Sequence, residues 1–308
     1  MSNLSEVTAK AGGYTDPEVK QRLDALMRAR GWSQRKASEQ IGVSQTALCR
    51  WWSDKYEAAE AMNTRVAEFL DGRRQAGEGV VPSEGLLVIN EICRQAHEER
   101  KFGVVQGNPG VGKTKALLLY QIEHDGVVYV RADVTTNVKV MLERICGIHG
   151  GGRTAADLME EAKPLVAGKV IIVDEADLLS VRVLEALRAI YDEGHCGLVL
   201  AGTPRLERLL RRGPHATDNL AQLYSRVDFN VTVLPPCTGD MEKFLDTAHI
   251  EDKGARKIIS QEGSKGSFRA AAKLTNQALR LARVNGVPVS EAVVKAAGRL
   301  IMRPLMQA

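Results

Sequence analysis

Cysteine is scarce and scattered in this chain. The five residues Cys49, Cys93, Cys146, Cys196 and Cys237 are odd in number and widely spaced. They match neither a metal-ligand pattern nor a redox pair, and they read as free thiols in a reducing compartment. No run of about 18 apolar residues occurs, so no segment reads as a membrane-spanning helix. The opening stretch MSNLSEVTAKAGGYTDPE lacks the apolar core of a signal peptide. Together these absences predict a cytoplasmic protein without a membrane partner. No internal repeat or low-complexity tract is visible. Neither sign of charge dominates, with a net charge of +4 and a pI near 8.8. That mild excess permits a nucleic-acid partner without demanding one.

What is present divides into textures. The 308 residues, 44% hydrophobic and 26% charged, are ordinary for a globular protein of two or three domains. Residues 1–70 include a helical pattern that carries all three tryptophans. Residues 71–83, DGRRQAGEGVVPS, mix Gly, charge and Pro without apolar periodicity and read as a linker. Residues 84–236 alternate short apolar runs with amphipathic stretches. Candidate strands are FGVVQ (102–106), VVYVRA (127–132), KVIIVD (169–174), GLVLAG (197–202) and FNVTVL (229–234). Several are near-continuous Val, Ile and Leu, as strands covered on both faces require. Helical segments between them predict a parallel α/β sheet. Strand signal ends after LPPCTGD, and residues 237–308 read as a helical domain.

Residues 107–114, GNPGVGKT, follow a predicted strand and precede the helical KALLLYQIE. That context suits a phosphate-binding loop formed by Gly107, Asn108, Pro109, Gly110, Val111, Gly112, Lys113 and Thr114. The glycines let backbone N–H groups turn inward as an anion nest at a helix N-terminus. Lys113 is placed to reach the β- and γ-phosphates of ATP, and the Thr114 hydroxyl to ligate Mg²⁺. In VIIVDEAD (170–177) four apolar residues cross the core and Asp174 emerges at the strand's carboxyl end. Asp174 would hold Mg²⁺ through water, and Glu175 would orient and deprotonate the attacking water. Thr203 ends a strand; should that strand lie between the loop strand and the Asp174 strand, Thr203 points at the γ-phosphate or the water. From spacing alone, a turn residue before Pro204 is an equal reading.

Phosphate loop, VDEAD, Thr203, LYSRV (223–227) and GSFRAAAKL (266–274) resemble the successive motifs of AAA+ ATPases over about residues 85–300. The resemblance implies a P-loop NTPase with a five-stranded parallel sheet and a C-terminal helical lid. It also implies that Arg226 reaches a neighbouring subunit's nucleotide and that Arg269 touches the γ-phosphate of its own site. A narrower resemblance is to the B transposition proteins of Mu-like transposable phages. It implies ATP-dependent assembly into filaments on double-stranded DNA with little sequence preference. It further implies delivery of that DNA to a DDE-type transposase, and slow hydrolysis, stimulated by DNA and transposase, that drives disassembly.

The front region bears on the same reading. In SQRKASEQIGVSQTALCRWW (33–52), Ala37 and Ile41 lie one turn apart, Gly42 suits a tight turn, and Val43, Leu48 and Trp51 supply core positions. This is the spacing of a helix-turn-helix, with Ser44 as N-cap of the second helix. Gln45, Thr46, Arg50 and Lys55 would then face DNA; a protein-binding helical domain is the alternative. Trp51 and Trp52 lie about 100° apart on a helix, so one of them is expected in the core. In RLERLLRRG (205–213), Arg205, Arg208 and Arg212 share a helical face suited to tracking phosphates, or simply to solvation. Two further functions fit the residues: a helicase loader or replication initiator of the AAA+ type, and a nucleotide-switched transcription regulator.

Overall fold

A computed structural model describes residues 16–77, 80–148, 152–212, 220–265 and 267–301. The chain splits into two compact units, Met1–Glu78 and Gly79–Ala308.

The first unit is helical, and its boundaries follow from its caps. α1 (Pro17–Arg30) starts at Asp16, whose carboxylate accepts the Glu18 and Val19 N–H groups, and stops at Gly31 with φ +62°. α2 (Gln34–Ile41) begins at Ser33 and ends at Gly42, φ +74°. α3 (Gln45–Trp52) begins at Ser44, whose hydroxyl accepts the Ala47 N–H at 3.1 Å. α4 (Ala59–Gly77) closes the unit. Leu23, Ala37, Leu48, Trp51 and Val66 are fully buried between these helices. Trp51 is the core tryptophan, donating its indole N–H to Asn63 Oδ1 at 2.7 Å. Trp52 is half-buried and meets it edge-on.

The expected linker over 71–83 needs correction. α4 runs through Gly77, because Arg, Gln and Ala are good helix formers and Gly72 alone costs only about 1 kcal/mol. At the other end Val81 and Ser83 are buried in the second unit. Ser83 caps α5 (Glu84–Glu99) by accepting the Leu86 N–H at 3.2 Å.

In the second unit, β1 (Phe102–Gly107), α6 (Lys113–Glu123), β2 (Val127–Arg131), α7 (Val138–Cys146), α8 (Ala155–Val166) and β3 (Val170–Asp174) follow in order. They lead to α9 (Val181–Gly194), β4 (Gly197–Gly202), α10 (Arg205–Arg212), α11 (Ala221–Tyr224) and β5 (Phe229–Val233). The five strands form one sheet of order β2-β3-β4-β1-β5, and every pairing is parallel. Alternate strand residues feed two cores. Val104, Ile171, Val173, Leu198 and Leu200 pack on one face, while Val105, Ile172, Val199 and Ala201 pack with α5 and α6 on the other. Each Val, Ile or Leu among them gives about 1.5–3 kcal/mol on burial, which is why apolar residues occupy consecutive strand positions.

A helical lid follows: α12 (Thr238–Thr247), α13 (Lys253–Lys265), α14 (Phe268–Asn285) and α15 (Glu291–Ile301). Met241, Leu245, Ile259, Ala271 and Ala278 form its own core. Buried Asp240 fastens the lid to the start of α5 by accepting the Glu84 N–H at 3.2 Å.

Candidate nucleotide site

Because β4 lies between β1 and β3, the carboxyl ends of three strands converge on one cleft, where ligands of open α/β sheets bind. The cleft holds about 610 Å³ and is lined by the phosphate loop, Arg131, Glu175, Thr203 and Arg269. Its apolar wall comes from Val80, Val81, Leu86, Phe244, Phe268 and Ala272. Loop, sheet ends and lid therefore meet around a single volume.

Gly110 and Gly112 adopt φ +86° and +109°, which L side chains rarely tolerate. At Gly107 the reason is different: an added Cβ would lie 2.8 Å from the Val233 carbonyl oxygen. Asn108 and Pro109 are exposed at the tip, and Val111 anchors the loop by burial. Lys113 opens α6, and its ammonium donates to the carbonyl oxygens of Gly107 and Asn108 at 2.7 and 3.2 Å. Burial pushes the Lys113 pKa down, while Asp174, Glu175 and Asp177 oppose this and Arg269 adds to it. Lys113 and Arg269 thus repel each other across the cleft, an arrangement that a polyanion relieves.

Asp174 ends β3 and is almost fully buried. Its Oδ2 accepts the Thr114 hydroxyl at 2.6 Å and the Tyr129 hydroxyl at 3.1 Å, and its Oδ1 accepts the Glu175 N–H at 2.9 Å. Burial, then the Asp174 charge, raises the Tyr129 pKa. Glu175 takes the left-handed conformation at φ +56°, a strain of about 1–2 kcal/mol for a residue with a Cβ. Its carboxylate lies 3.7 Å from the Arg131 guanidinium. Thr203 sits across the cleft, held by Asp177. Arg269 meets the loop directly, its N–H lying 3.4 Å from the Gly110 carbonyl oxygen.

The loop residues, Asp174, Glu175, Thr203 and Arg269 are thus brought together as the sequence suggests. The donor set fits Mg-ATP: a nest of N–H groups, two converging cations, and a hydroxyl–carboxylate pair at Thr114 and Asp174. Arg226 is not among the residues lining this cleft. Its guanidinium donates to Asp192 of α9 and to the Gln222 carbonyl oxygen. Gln45, Thr46, Arg50 and Lys55 are all exposed in the first unit. On α10, Arg205 and Arg208 are exposed over buried Leu206, Leu209 and Leu210; the side chain of Arg212 lies outside the described residues. Arg211 is instead tied to Glu207 and lies over the Tyr224 ring. Sequence reasoning missed Tyr129, Asp177, Val81 and the two lid phenylalanines. Of these only Asp177, inside VDEAD, carried any signal.

Comparison with known proteins agrees with this geometry. A family model described as an AAA domain matches residues 95–210. ATP-dependent target DNA activator B of Escherichia phage D108 is 26% identical over 258 residues, covering 78% of this chain and 80% of its own. The protein of the same name from Escherichia phage Mu has the same identity and coverage. The Mu-like prophage FluMu DNA transposition protein B of Haemophilus influenzae is 26% identical over 242 residues, 74% of this chain and 84% of that one. Among solved structures, the Thermotoga maritima RuvB Holliday junction branch migration motor superposes with a TM-score of 0.51 at 16% identity, covering 71% and 70% of the two chains. That likeness bears on the fold alone. The chain carries an AAA-type P-loop ATPase fold and is similar, over most of its length, to the B transposition proteins of Mu and Mu-like phages.

Proposed function

We propose that this chain is an ATP-dependent DNA-binding protein that assembles on target duplex with little sequence preference, selects it and activates a DDE-type transposase. The observation that carries the reading is the cleft itself, a complete phosphate loop closed by a lid arginine, in a chain similar to named target DNA activators over 78% of its length. Mg²⁺, held by Thr114 and through water by Asp174, would neutralise charge on the phosphates. The loop N–H groups and Lys113 bind the phosphates, and Arg269 reports their presence to the lid. Glu175 takes a proton from the attacking water. Arg226 serves a neighbouring copy, so the site is complete only in an assembly, and hydrolysis ends that assembly. Gln45, Thr46, Arg50 and Lys55 of the helix-turn-helix, with Arg205, Arg208 and Arg212 of α10, meet DNA.

Glu175→Gln separates binding from hydrolysis. Imaged with random-sequence duplex and ATP, the variant is expected to coat the DNA stably, whereas an operator-reading regulator gives isolated footprints. Bare DNA at saturating ATP would refute the reading.

A further inference from the structure

Asp177 plays no part in the mechanism above, yet it is buried at 7% exposure beside the reacting groups. Left-handed Glu175 turns the chain back after β3, and the 3-10 turn Ala176–Leu178 carries Asp177 to the end of β4. There its Oδ1 accepts the Thr203 N–H at 3.0 Å and its Oδ2 accepts the Thr203 hydroxyl at 2.8 Å. The approach requires Gly202, where an added Cβ would lie 2.5 Å from Asp177 Oδ1.

A hydroxyl carries one proton, and that of Thr203 is committed to Asp177. Thr203 Oγ1 also accepts the Arg205 N–H at 3.3 Å. Towards the cleft it therefore offers only a lone pair. Phosphate oxygens are acceptors too, and two acceptors facing each other repel; a water molecule supplies the donor that fits. We propose that Asp177 is a positioning residue that fixes the Thr203 hydroxyl as an acceptor, so that Thr203 holds the attacking water rather than a γ-phosphate oxygen. This rests on the ATP-hydrolysing reading of the cleft.

The test uses the full chain and measures ATP turnover, nucleotide affinity and melting temperature. Asp177→Asn keeps the shape but can present an N–H to Thr203 Oγ1, releasing the hydroxyl proton towards the phosphate. It is expected to lower kcat roughly ten- to hundredfold while ATP affinity stays within about threefold of wild type or tightens. Thr203→Ser, which keeps the hydroxyl, retains turnover. Thr203→Val falls to the Asp177→Asn level, and the double variant is no slower than Thr203→Val alone, because both changes remove one function. Wild-type turnover in Asp177→Asn would overturn the proposal. So would a double variant slower than Thr203→Val by a further tenfold, since a merely structural carboxylate adds its own loss. The parent reading has its own control: if wild type turns over no ATP, or Lys113→Ala turns it over normally, that reading falls first and takes this one with it.

Discussion

Gly110→Ala puts the meeting of loop and lid under direct strain. The residue sits at φ +86°, where an alanine costs about 1–2 kcal/mol. The new methyl would lie 2.7 Å from Ser267 Oγ and 2.9 Å from the Cβ of both Ser267 and Arg269, closer than real contacts allow. Ser267 caps α14 by accepting the Ala270 N–H, a bond worth about 1 kcal/mol. In the free protein the lid can retreat and shed much of this strain. On the proposed reading, ATP draws the loop and Arg269 onto the same phosphates and restores it. The left-handed cost falls on free and bound protein alike, so the binding penalty is the restored overlap, about 1–3 kcal/mol for overpacking, or roughly 5- to 150-fold weaker ATP binding, measured by calorimetric titration. Gly147→Ala is the control. It has φ +68° and nothing within 4 Å of its added Cβ, so it lowers the melting temperature without changing ATP affinity. Unchanged affinity in Gly110→Ala, or equal weakening in both variants, would refute the steric argument.

Lys113 makes a pH prediction. Its folded pKa lies below the unfolded 10.5 because of burial, so between the two values the unfolded chain holds more protons and stability rises with pH. At neutral pH the buried ammonium is a full penalty. Lys113→Met is therefore expected to melt higher than wild type without ATP, with a flatter profile up to pH 10.5, and to lose the stabilisation that ATP confers; a lower melting temperature contradicts this. Arg226→Ala is expected to lower the DNA-stimulated ATPase rate by roughly 10³-fold or more while ATP affinity stays close to wild type. Normal turnover in that variant removes the trans role.

The sheet was legible because strands buried on both faces leave near-continuous Val, Ile and Leu, and all five fall where those runs predict. The phosphate loop was legible because backbone turned towards an anion needs glycine at fixed spacing. Position within the sheet was not. Thr203 reads as a turn residue or as part of the site according to whether β4 neighbours β3, and only tertiary pairing decides that. The same pairing gives Asp177 its partner, so a carboxylate three residues past Asp174 had no visible purpose in one dimension. Tyr129 was hidden for a similar reason, since its hydroxyl meets Asp174 only through the register that sets Arg131 beside it. Over 71–77 charge and two glycines, Gly72 and Gly77, resemble a linker, although Arg, Gln and Ala extend a helix readily.

Arg226 shows what one chain cannot supply. The charged groups lining the cleft come from the loop, α6, the sheet ends and the lid, whereas Arg226 is tethered to Asp192, which also accepts from Arg188 at 3.0 Å. A guanidinium held by a carboxylate keeps its charge and its direction but adds nothing to its own chain's phosphates. On the proposed reading that tether is useful, because it presents an oriented cation at the surface without the entropy loss of ordering a free side chain at each encounter. Turnover per chain should then rise with protein concentration, while ATP affinity at the chain's own loop stays constant. A site completed within one subunit would turn over at the same rate per chain at every concentration.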